Sequence, residues 1–214
     1  MTQPYPAGYL EIILGSMYSG KSTRIVEIYN QCKLCNIPVI VINHTIDTRY
    51  DTDYDNDILS THDKVKIPCM KIERLMDLCF ELSNIDVYQD ISPKIKDKFK
   101  IITSQVILVS EVILINEGQF FPDLEKFVKL LLNHGKKVYV CGLDGDFERK
   151  KFGQILDLIP YCDKVTKMTS LCSICKNGTP GIFSMRLTHE TDQTVVGSDN
   201  YIPVCRSCYV KKIY

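Results

Sequence analysis

The segment GSMYSGKS, residues 15–22, decides the fold class of this 214-residue chain. It matches the phosphate-binding pattern G-x-x-x-x-G-K-[ST], and it lies between a β-rich run at residues 9–14 and a helical pattern at residues 21–36. Its glycines permit a tight turn whose backbone N–H groups point at phosphate oxygens, and the following helix adds its positive dipole end. Lys21 can reach the terminal phosphates of a nucleotide, and the Ser22 hydroxyl can ligate magnesium. The segment therefore predicts a strand, a phosphate-binding loop and a helix in succession.

Apolar runs and helical patterns alternate downstream of this loop. Residues 37–43, 107–115 and 137–143 are largely apolar runs, typical of strands buried on both faces of a parallel sheet, and residues 107–115 supply one strand or two. Residues 71–82 and 122–135 carry apolar side chains at helical spacing. Strands that alternate with helices predict an α/β domain with a parallel sheet and right-handed crossovers.

The segment ILINEGQFFPD, residues 113–123, looks like a buried strand that ends at an active site. Glu117 follows the carboxyl end of this strand, where it can take a proton from an attacking hydroxyl; a capping or ion-pairing role is the alternative. Phe120 and Phe121 suit a planar base, although core packing is expected for at least one of them. A phosphate-handling protein normally has aspartate beside such a glutamate, whereas this chain has Asn116. The segment thus predicts a phosphotransferase with an altered metal site.

The pattern changes after about Thr169 to cysteines, turns and short β-like runs, so we expect two domains, residues 1–168 and 169–214. Two C-x-x-C pairs lie in the second domain with 29 residues between them. Four thiolates suit a closed, tetrahedral structural zinc site, and the long interval implies a loop that projects between the pairs. A dithiol redox role is the alternative. The expected zinc ligands are Cys172, Cys175, Cys205 and Cys208.

The remaining cysteines are expected to be structural. Cys32 and Cys35 form a third C-x-x-C pair near the end of the first helix, where they most simply share a helix face with Cys32 buried. Four more cysteines are expected to be small core residues: Cys69, Cys79, Cys141 and Cys162.

Composition and charge narrow the function classes. The 26 basic and 26 acidic residues balance, which gives no support to a broad nucleic-acid-binding or anionic-membrane surface. The N-terminus lacks the pattern of a signal peptide, and the apolar run 106–115 is broken by Ser110 and Glu111. We therefore expect a cytoplasmic protein without a nucleic-acid or membrane partner.

Seven segments occur in the order and approximate spacing known from one enzyme family: GSMYSGKST, DTRY, STHD, EGQFFPD, GLDGDFERKKFG, CSIC and DNYIPVCRSCY. Through these segments the chain resembles the tetrameric, zinc-containing (type II) thymidine kinases of animals, bacteria and large DNA viruses. The resemblance covers nearly the whole chain. The resemblance implies a RecA-like P-loop α/β domain and a small C-terminal zinc domain whose lasso loop covers the nucleoside.

The activity implied by the resemblance is transfer of the ATP γ-phosphoryl group to the 5′-hydroxyl of thymidine, and of deoxyuridine, in nucleotide salvage for DNA synthesis. The implied cofactors are ATP with Mg²⁺ and a structural Zn²⁺. The resemblance further implies feedback inhibition by dTTP and assembly into a homotetramer.

The resemblance also implies roles for individual residues. Glu117 takes the place of the catalytic base, and Ser22 is the expected magnesium ligand among the protein side chains. Expected on the ATP side are Gly15, Ser16, Met17, Tyr18, Ser19, Gly20, Lys21, Ser22, Asp47, Thr48, Arg49, Asn116, Gly118 and Gln119. Expected on the thymidine side are Met17, Phe120, Leu143, Phe147, Phe152, Ser184, the lasso residues Asp192, Gln193, Thr194, Val195 and Val196, and Tyr201.

The neutral Asn116 leaves more than one function possible. Its carbonyl can accept a hydrogen bond from a metal-bound water but supplies no charge, so we hypothesise a functional kinase with weakened magnesium binding, compensated by Asp47 or Asp144. The alternatives are a deoxynucleoside kinase of broader specificity, a nucleotide-binding pseudoenzyme and a nucleic-acid-binding ATPase. The zero net charge counts against the last of these.

Overall fold

A computed structural model describes residues 7–47, 58–78, 106–195, 197 and 200–213. Its centre is a sheet of six parallel strands in the order β5-β2-β6-β7-β1-β8. These strands are β1 (Tyr9–Gly15), β2 (Val39–His44), β5 (Met70–Ile72), β6 (Val112–Ile115), β7 (Lys137–Gly142) and β8 (Lys164–Met168). The α/β class and the parallel sheet expected from the sequence are confirmed.

Helices pack on both faces of this sheet. On one face lies α1 (Lys21–Leu34), whose Ile25, Ile28 and Cys32 are buried. On the other face lies α2 (Leu124–Asn133), whose apolar stripe is fully buried against the strands, together with a 3₁₀ segment, Ile155–Tyr161. The middle strand β6 is buried at all four of its positions because it is covered on both faces.

Smaller elements complete the described chain. A hairpin is formed by β3 (Ile58–Ser60) and β4 (Lys66–Pro68). Two further antiparallel pairs join β9 (Ser170–Leu171) to β10 (Pro180–Gly181), and β11 (Phe183–Arg186) to β12 (Tyr201–Val204). The last helix is α3 (Arg206–Ile213). No helix among the described residues has the length and apolar character needed to cross a membrane.

Two segments differ from the sequence prediction. Residues 71–82 were predicted as one helix. In the structure, Met70–Ile72 is an edge strand and Leu75–Leu78 is a 3₁₀ turn, and residues 79–82 lie outside the described residues. The helix prediction is wrong for the strand because the open edge of β2 provides pairing partners there. Within 107–115 only Val112–Ile115 is a strand, since the residues before Ser110 form a helical turn closed by a Ser110 N–H bond to the Val106 carbonyl.

Helix ends agree closely with their sequence signals. The first helix ends at Leu34, and Asn36 follows it with φ 54°, in the left-handed region that terminates helices. The second helix starts at Leu124, two residues after Pro122. The division of the chain into residues 1–168 and 169–214 stays a prediction.

The carboxylate of Asp123 ties the 3₁₀ turn to the base of α2. It is 9 % exposed and accepts hydrogen bonds from the backbone N–H groups of Leu75 (3.1 Å) and Met76 (2.9 Å). We expect Asp123→Ala to lower the free energy of unfolding by about 2–3 kcal/mol, because both N–H groups lose their acceptor. Asp123→Asn retains a carbonyl acceptor and should lose less. Urea denaturation of the three proteins checks this, and equal stability of the Ala and Asn variants would contradict it.

Candidate active site

The phosphate-binding loop connects β1 to α1. Gly20 has φ 86°, a conformation that side-chain-bearing residues rarely adopt, and it turns the chain into the helix. The Lys21 ammonium is buried and donates a hydrogen bond to the Ser16 carbonyl at 2.8 Å, which curls the side chain over the loop. Among the described residues, the Ser19 hydroxyl is the one buried side-chain polar atom without a hydrogen-bond partner. A buried hydroxyl of this kind fits a phosphate oxygen of a bound ligand.

Two hydrogen bonds attach this loop to the cysteine-containing part of the chain. The Ser16 hydroxyl donates to the Gly181 carbonyl at 2.7 Å, and the Met17 N–H donates to the Ser184 hydroxyl at 2.9 Å. Ser184 lies on β11 and is 6 % exposed. The position of the loop therefore depends on β10 and β11 as well as on the central sheet.

Glu117 is the second residue after β6. Its backbone is left-handed (φ 52°), and its side chain is largely buried. The Gln119 amide donates to Glu117 Oε2 at 2.6 Å and accepts from the Leu143 N–H at 3.0 Å, so Gln119 links Glu117 to the loop after β7. Gly153, with φ 59°, lies so close to this turn that a Cβ atom there would overlap the Gln119 carbonyl. Glu117 is thus a buried carboxylate in a fixed orientation.

Asn116 lies at the centre of a buried polar network. Its carbonyl oxygen accepts hydrogen bonds from the Ser22 hydroxyl (3.3 Å) and the Cys141 thiol (2.9 Å). Its side-chain amide donates to Asn43 Oδ1 at 3.0 Å, and Asn43 Nδ2 donates in turn to the Asp47 carboxylate at 3.0 Å. An aspartate at position 116 has no N–H group and could not donate to Asn43 in this arrangement. The side chains of this network are matched to a neutral amide.

The turn after β2 places Asp47 at the end of this network. Burial lowers the pKa of His44, which keeps its ring neutral at neutral pH, and its Nδ1 accepts the Ile46 N–H at 3.0 Å. The Asp47 N–H donates to the His44 carbonyl at 3.0 Å, and Lys71 donates to the Asp47 carbonyl at 3.1 Å.

A cavity of about 300 Å³ lies between the phosphate-binding loop, the carboxyl ends of the strands and the segment before β12. It brings together most residues that the sequence analysis assigned to ATP or thymidine: Met17, Tyr18, Ser19, Gly20, Lys21, Ser22, Asp47, Glu117, Gln119, Phe120, Leu143, Phe147, Phe152, Ser184, Gln193, Thr194, Val195 and Tyr201. Five others lie outside its lining: Gly15, Ser16, Asn116, Gly118 and Asp192. Thr48, Arg49 and Val196 lie outside the described residues.

Aromatic rings form one wall of the cavity. The rings of Phe120 and Phe152 meet edge to face, with centroids 5.5 Å apart, and His44 contacts Phe120 from behind at 5.7 Å. Phe121 is fully buried in the core instead, which confirms that one of the two adjacent phenylalanines serves packing.

The sequence analysis missed several residues around the cavity. His62 lines it and packs its ring on that of Tyr18, with centroids 4.5 Å apart; the segment STHD had been noted without a role. Asp146 also lines it, is 6 % exposed and accepts a hydrogen bond from the Gln193 amide at 2.7 Å. Arg186 was missed because one charged residue in a short β-like run carries little signal. Lining residues without an assigned role also include Thr23, Ile46, Ser60, Asp63, Gly145 and Gly197.

Four cysteines converge at the end of the molecule that carries β9–β12. The Sγ atoms of Cys172, Cys175, Cys205 and Cys208 all lie within 4.8 Å of one another. Cys175 Sγ is 3.7 Å from Cys205 Sγ and 3.4 Å from Cys208 Sγ. Tetrahedral zinc with Zn–S bonds of about 2.3 Å separates its sulfurs by about 3.8 Å, so these four thiols fit such an ion.

The pKa values of two of these thiols are shifted in opposite directions. Burial raises the pKa of Cys172, but hydrogen bonds led by those from the backbone N–H groups of Cys175 and Cys205 outweigh it and lower the pKa to about 6. The hydrogen bond to Cys175 raises the pKa of Cys208 to about 12, since one proton is retained between neighbouring sulfurs. Four thiolates can coexist at this distance only around a positive charge.

A family model described as thymidine kinase matches residues 8–209. The chain belongs to the thymidine kinase family. It is 36 % identical over 206 residues to a thymidine kinase of Raccoon poxvirus, covering 96 % of this chain and 98 % of the relative. It is 34 % identical to thymidine kinase 1 of Dictyostelium discoideum (95 % and 78 % covered) and to the cytosolic thymidine kinase of Cricetulus griseus (96 % and 74 %).

Within this thymidine kinase family member, the remaining cysteines have mostly the structural places expected of them. Cys32 is buried and Cys35 exposed, and neither belongs to the four-cysteine cluster that could hold a metal ion. Cys69 and Cys141 are core residues, as predicted, whereas Cys79 lies outside the described residues. Cys162 is only partly buried: it packs against the core from its edge and donates to the Ile159 carbonyl at the end of a 3₁₀ segment.

The two kinds of C-x-x-C pair permit a controlled test of metal binding. We expect the purified protein to contain about one tightly bound metal ion per chain, and Cys205→Ser to lose most of it and melt at a lower temperature, because one of four ligands is removed. Cys35→Ser, an exposed cysteine of the third pair, should keep the parent's metal content. Elemental analysis with thermal denaturation checks this. Equal metal content in both variants would contradict the assignment of the cluster.

Proposed function

We propose that this protein transfers the γ-phosphoryl group of ATP to the 5′-hydroxyl of thymidine, and of deoxyuridine, and so supplies deoxynucleoside monophosphates for DNA synthesis. The observation that carries the proposal is the single cavity that joins the phosphate-binding loop, Glu117 and an aromatic wall. Its volume of about 300 Å³ suits one nucleoside beside a phosphate chain.

On the donor side, the loop residues would bind the ATP phosphates. Lys21 would neutralise the terminal phosphates, and the buried Ser19 hydroxyl would donate to a phosphate oxygen. Ser22 would be a magnesium ligand, and bound Mg²⁺ would neutralise charge on the transferring group. These groups account for donor binding without any covalent intermediate on the protein.

On the acceptor side, Glu117 would accept the proton of the attacking 5′-hydroxyl. Its hydrogen bond from Gln119 occupies one carboxylate oxygen and orients the side chain. The wall formed by Phe120 and Phe152 would pack against the pyrimidine, and the lasso residues would close over it. A closed site excludes water, which otherwise competes as phosphoryl acceptor.

Asn116 weakens the electrostatic support of magnesium, and Asp47 is the better of the two compensating candidates. Asp47 lines the cavity and is connected to Asn116 through Asn43. Asp144 instead pairs with Lys167 and is not among the cavity-lining residues of the described chain.

Three further properties belong to the proposal because the family resemblance implies them. The structural metal is zinc, the enzyme is a cytoplasmic homotetramer, and dTTP acts as feedback inhibitor. A cavity that joins a base-binding wall to a phosphate-binding loop could accept both ends of dTTP, which supports the last of these.

We expect the purified protein to phosphorylate thymidine with ATP and Mg²⁺, and to prefer thymidine and deoxyuridine to deoxycytidine and the purine deoxynucleosides. Glu117→Gln should lower kcat by about 10²- to 10⁴-fold with little change in ATP affinity, because it removes the base but keeps the shape. Glu27→Gln, which alters an exposed ion pair on α1, should keep the parent rate.

Product formation measured by nucleotide chromatography decides between the alternatives. Turnover of several deoxynucleosides at similar rates would identify a broader deoxynucleoside kinase. ATP binding without turnover of any nucleoside would identify a pseudoenzyme and overturn the proposal.

The network around Asn116 generates a prediction about magnesium. We expect Asn116→Asp to lower the free Mg²⁺ concentration for half-maximal rate by about tenfold or more, since it adds a charge close to Ser22. It should also lower the melting temperature, since the Asn43 carbonyl loses its donor. Magnesium titration of the rate and thermal denaturation check both effects, with Asn30→Asp on the exposed face of α1 as the charge control. An unchanged magnesium titration would contradict this account of Asn116.

A further inference from the structure

Arg186 is a buried cation next to the cavity that the proposed reaction does not use. It is 6 % exposed, it lies on β11, and it is not among the cavity-lining residues of the described chain. Burial of a guanidinium is unfavourable unless its N–H groups are hydrogen-bonded, so its partners show what the burial achieves.

Within the described part of the chain, the guanidinium makes five hydrogen bonds, equal to its number of N–H donors. Nη1 donates to the carbonyls of Glu190 (2.7 Å) and Asp192 (2.6 Å), and Nη2 donates to the carbonyl of Gln193 (3.1 Å). Nε and Nη2 both donate to the Tyr201 hydroxyl, at 3.1 and 2.6 Å. One side chain therefore binds two carbonyls of the lasso, the Glu190 carbonyl just before it, and the hydroxyl of Tyr201 beyond it.

The flat face of the same guanidinium lies 3.7 Å from the centroid of the Phe147 ring. Phe147 and Tyr201 both line the cavity. Arg186 thus joins the loop after β7 to the lasso and to β12 from behind the cavity wall. A stacked, planar cation is well suited to this because it bonds in its plane and packs on its face.

Peptide geometry connects these bonds to nucleoside recognition. The C=O and N–H groups of one trans peptide unit point in opposite directions. Because the carbonyls of Asp192 and Gln193 point at Arg186, the N–H groups of Gln193 and Thr194 point away from it. Gln193 and Thr194 line the cavity and Arg186 does not, so donors that point away from Arg186 are available to a base bound in the cavity.

We propose that Arg186 is a positioning residue for nucleoside selectivity, which acts by fixing the orientation of the lasso backbone and of Tyr201 and Phe147. This inference rests on the proposed function, in which the cavity accepts a nucleoside. A lasso held in one orientation presents a fixed set of backbone donors and acceptors, and a base with the wrong pattern would leave buried groups unpaired.

The test compares Arg186→Met, Arg186→Lys and the control Arg206→Met. Met keeps an unbranched apolar stem like that of Arg but offers no donor, and Lys retains the charge but not the planar, five-donor arrangement. Arg206 is an exposed arginine that also stacks on an aromatic ring, that of Phe183 at 5.1 Å, without a lasso contact among the described residues.

For Arg186→Met we expect the KM for thymidine to rise by about 10- to 100-fold while the KM for ATP stays near the parent value, because the lost bonds are on the nucleoside side only. The preference for thymidine over deoxycytidine in kcat/KM should fall. Arg186→Lys should lie between parent and Met variant, and Arg206→Met should match the parent. Equal rises in both KM values, or an unchanged thymidine KM in folded protein, would overturn the proposal.

A second measurement does not depend on turnover. Hydrogen–deuterium exchange of residues 187–195, followed by mass spectrometry in the intact protein, should be at least tenfold faster in Arg186→Met and in Arg186→Lys than in the parent and in Arg206→Met. If the parent phosphorylates no nucleoside, the proposed function fails, but faster exchange still supports the role of Arg186 in holding the lasso. Unchanged exchange in that case would overturn it.

Discussion

Parallel pairing of β1, β2, β6 and β7 is the constraint on which the rest of the site depends. In a parallel sheet the carboxyl ends of neighbouring strands meet at one edge, and here each of these four strands is followed at that edge by residues that line the cavity. The phosphate-binding loop follows β1, Asp47 follows β2, Glu117 follows β6, and Leu143 follows β7. Because β6 is buried on both faces and lies between β2 and β7, a shift of its register would displace Glu117 from every partner at once.

The buried polar groups at this edge form a connected set, and this explains why a neutral residue is stable at position 116. Asn116 accepts from the Ser22 hydroxyl and the Cys141 thiol while its amide donates to Asn43. Low local dielectric strengthens such a set when every member is paired and penalises it when one is not. The nearest carboxylate along this chain of hydrogen bonds is that of Asp47. Asn43 lies between Asp47 and Asn116, so the negative charge is displaced from position 116 by one intervening residue.

Elements whose signals all lie in one continuous segment could be predicted from the sequence. The strand, loop and helix around residues 15–22 could be predicted because glycine positions, periodicity and the lysine all belong to one continuous segment. The strand Met70–Ile72 could not, because its apolar residues also fit a helical spacing and only the open edge of β2 selects pairing. Arg186 and Asn43 were missed for a related reason: their partners lie in distant segments, and a single polar residue in a short strand has many possible roles.

The short strand β11 contacts both the phosphate-binding loop and the lasso. Side chains two residues apart in a strand point to the same face, and Ser184 and Arg186 have this spacing. Ser184 holds the Met17 N–H of the phosphate-binding loop, and Arg186 holds the lasso. In the register of β11 with β12, Ser184 pairs with Pro203 and Arg186 pairs with Tyr201. The residue after β12 is Cys205, which belongs to the four-cysteine cluster. A metal ion bound by this cysteine would therefore support β12, and through it β11, which contacts both the phosphate-binding loop and the lasso. The cysteine cluster is distant in sequence from the phosphate-binding loop, yet β12 and β11 connect it to both sides of the cavity.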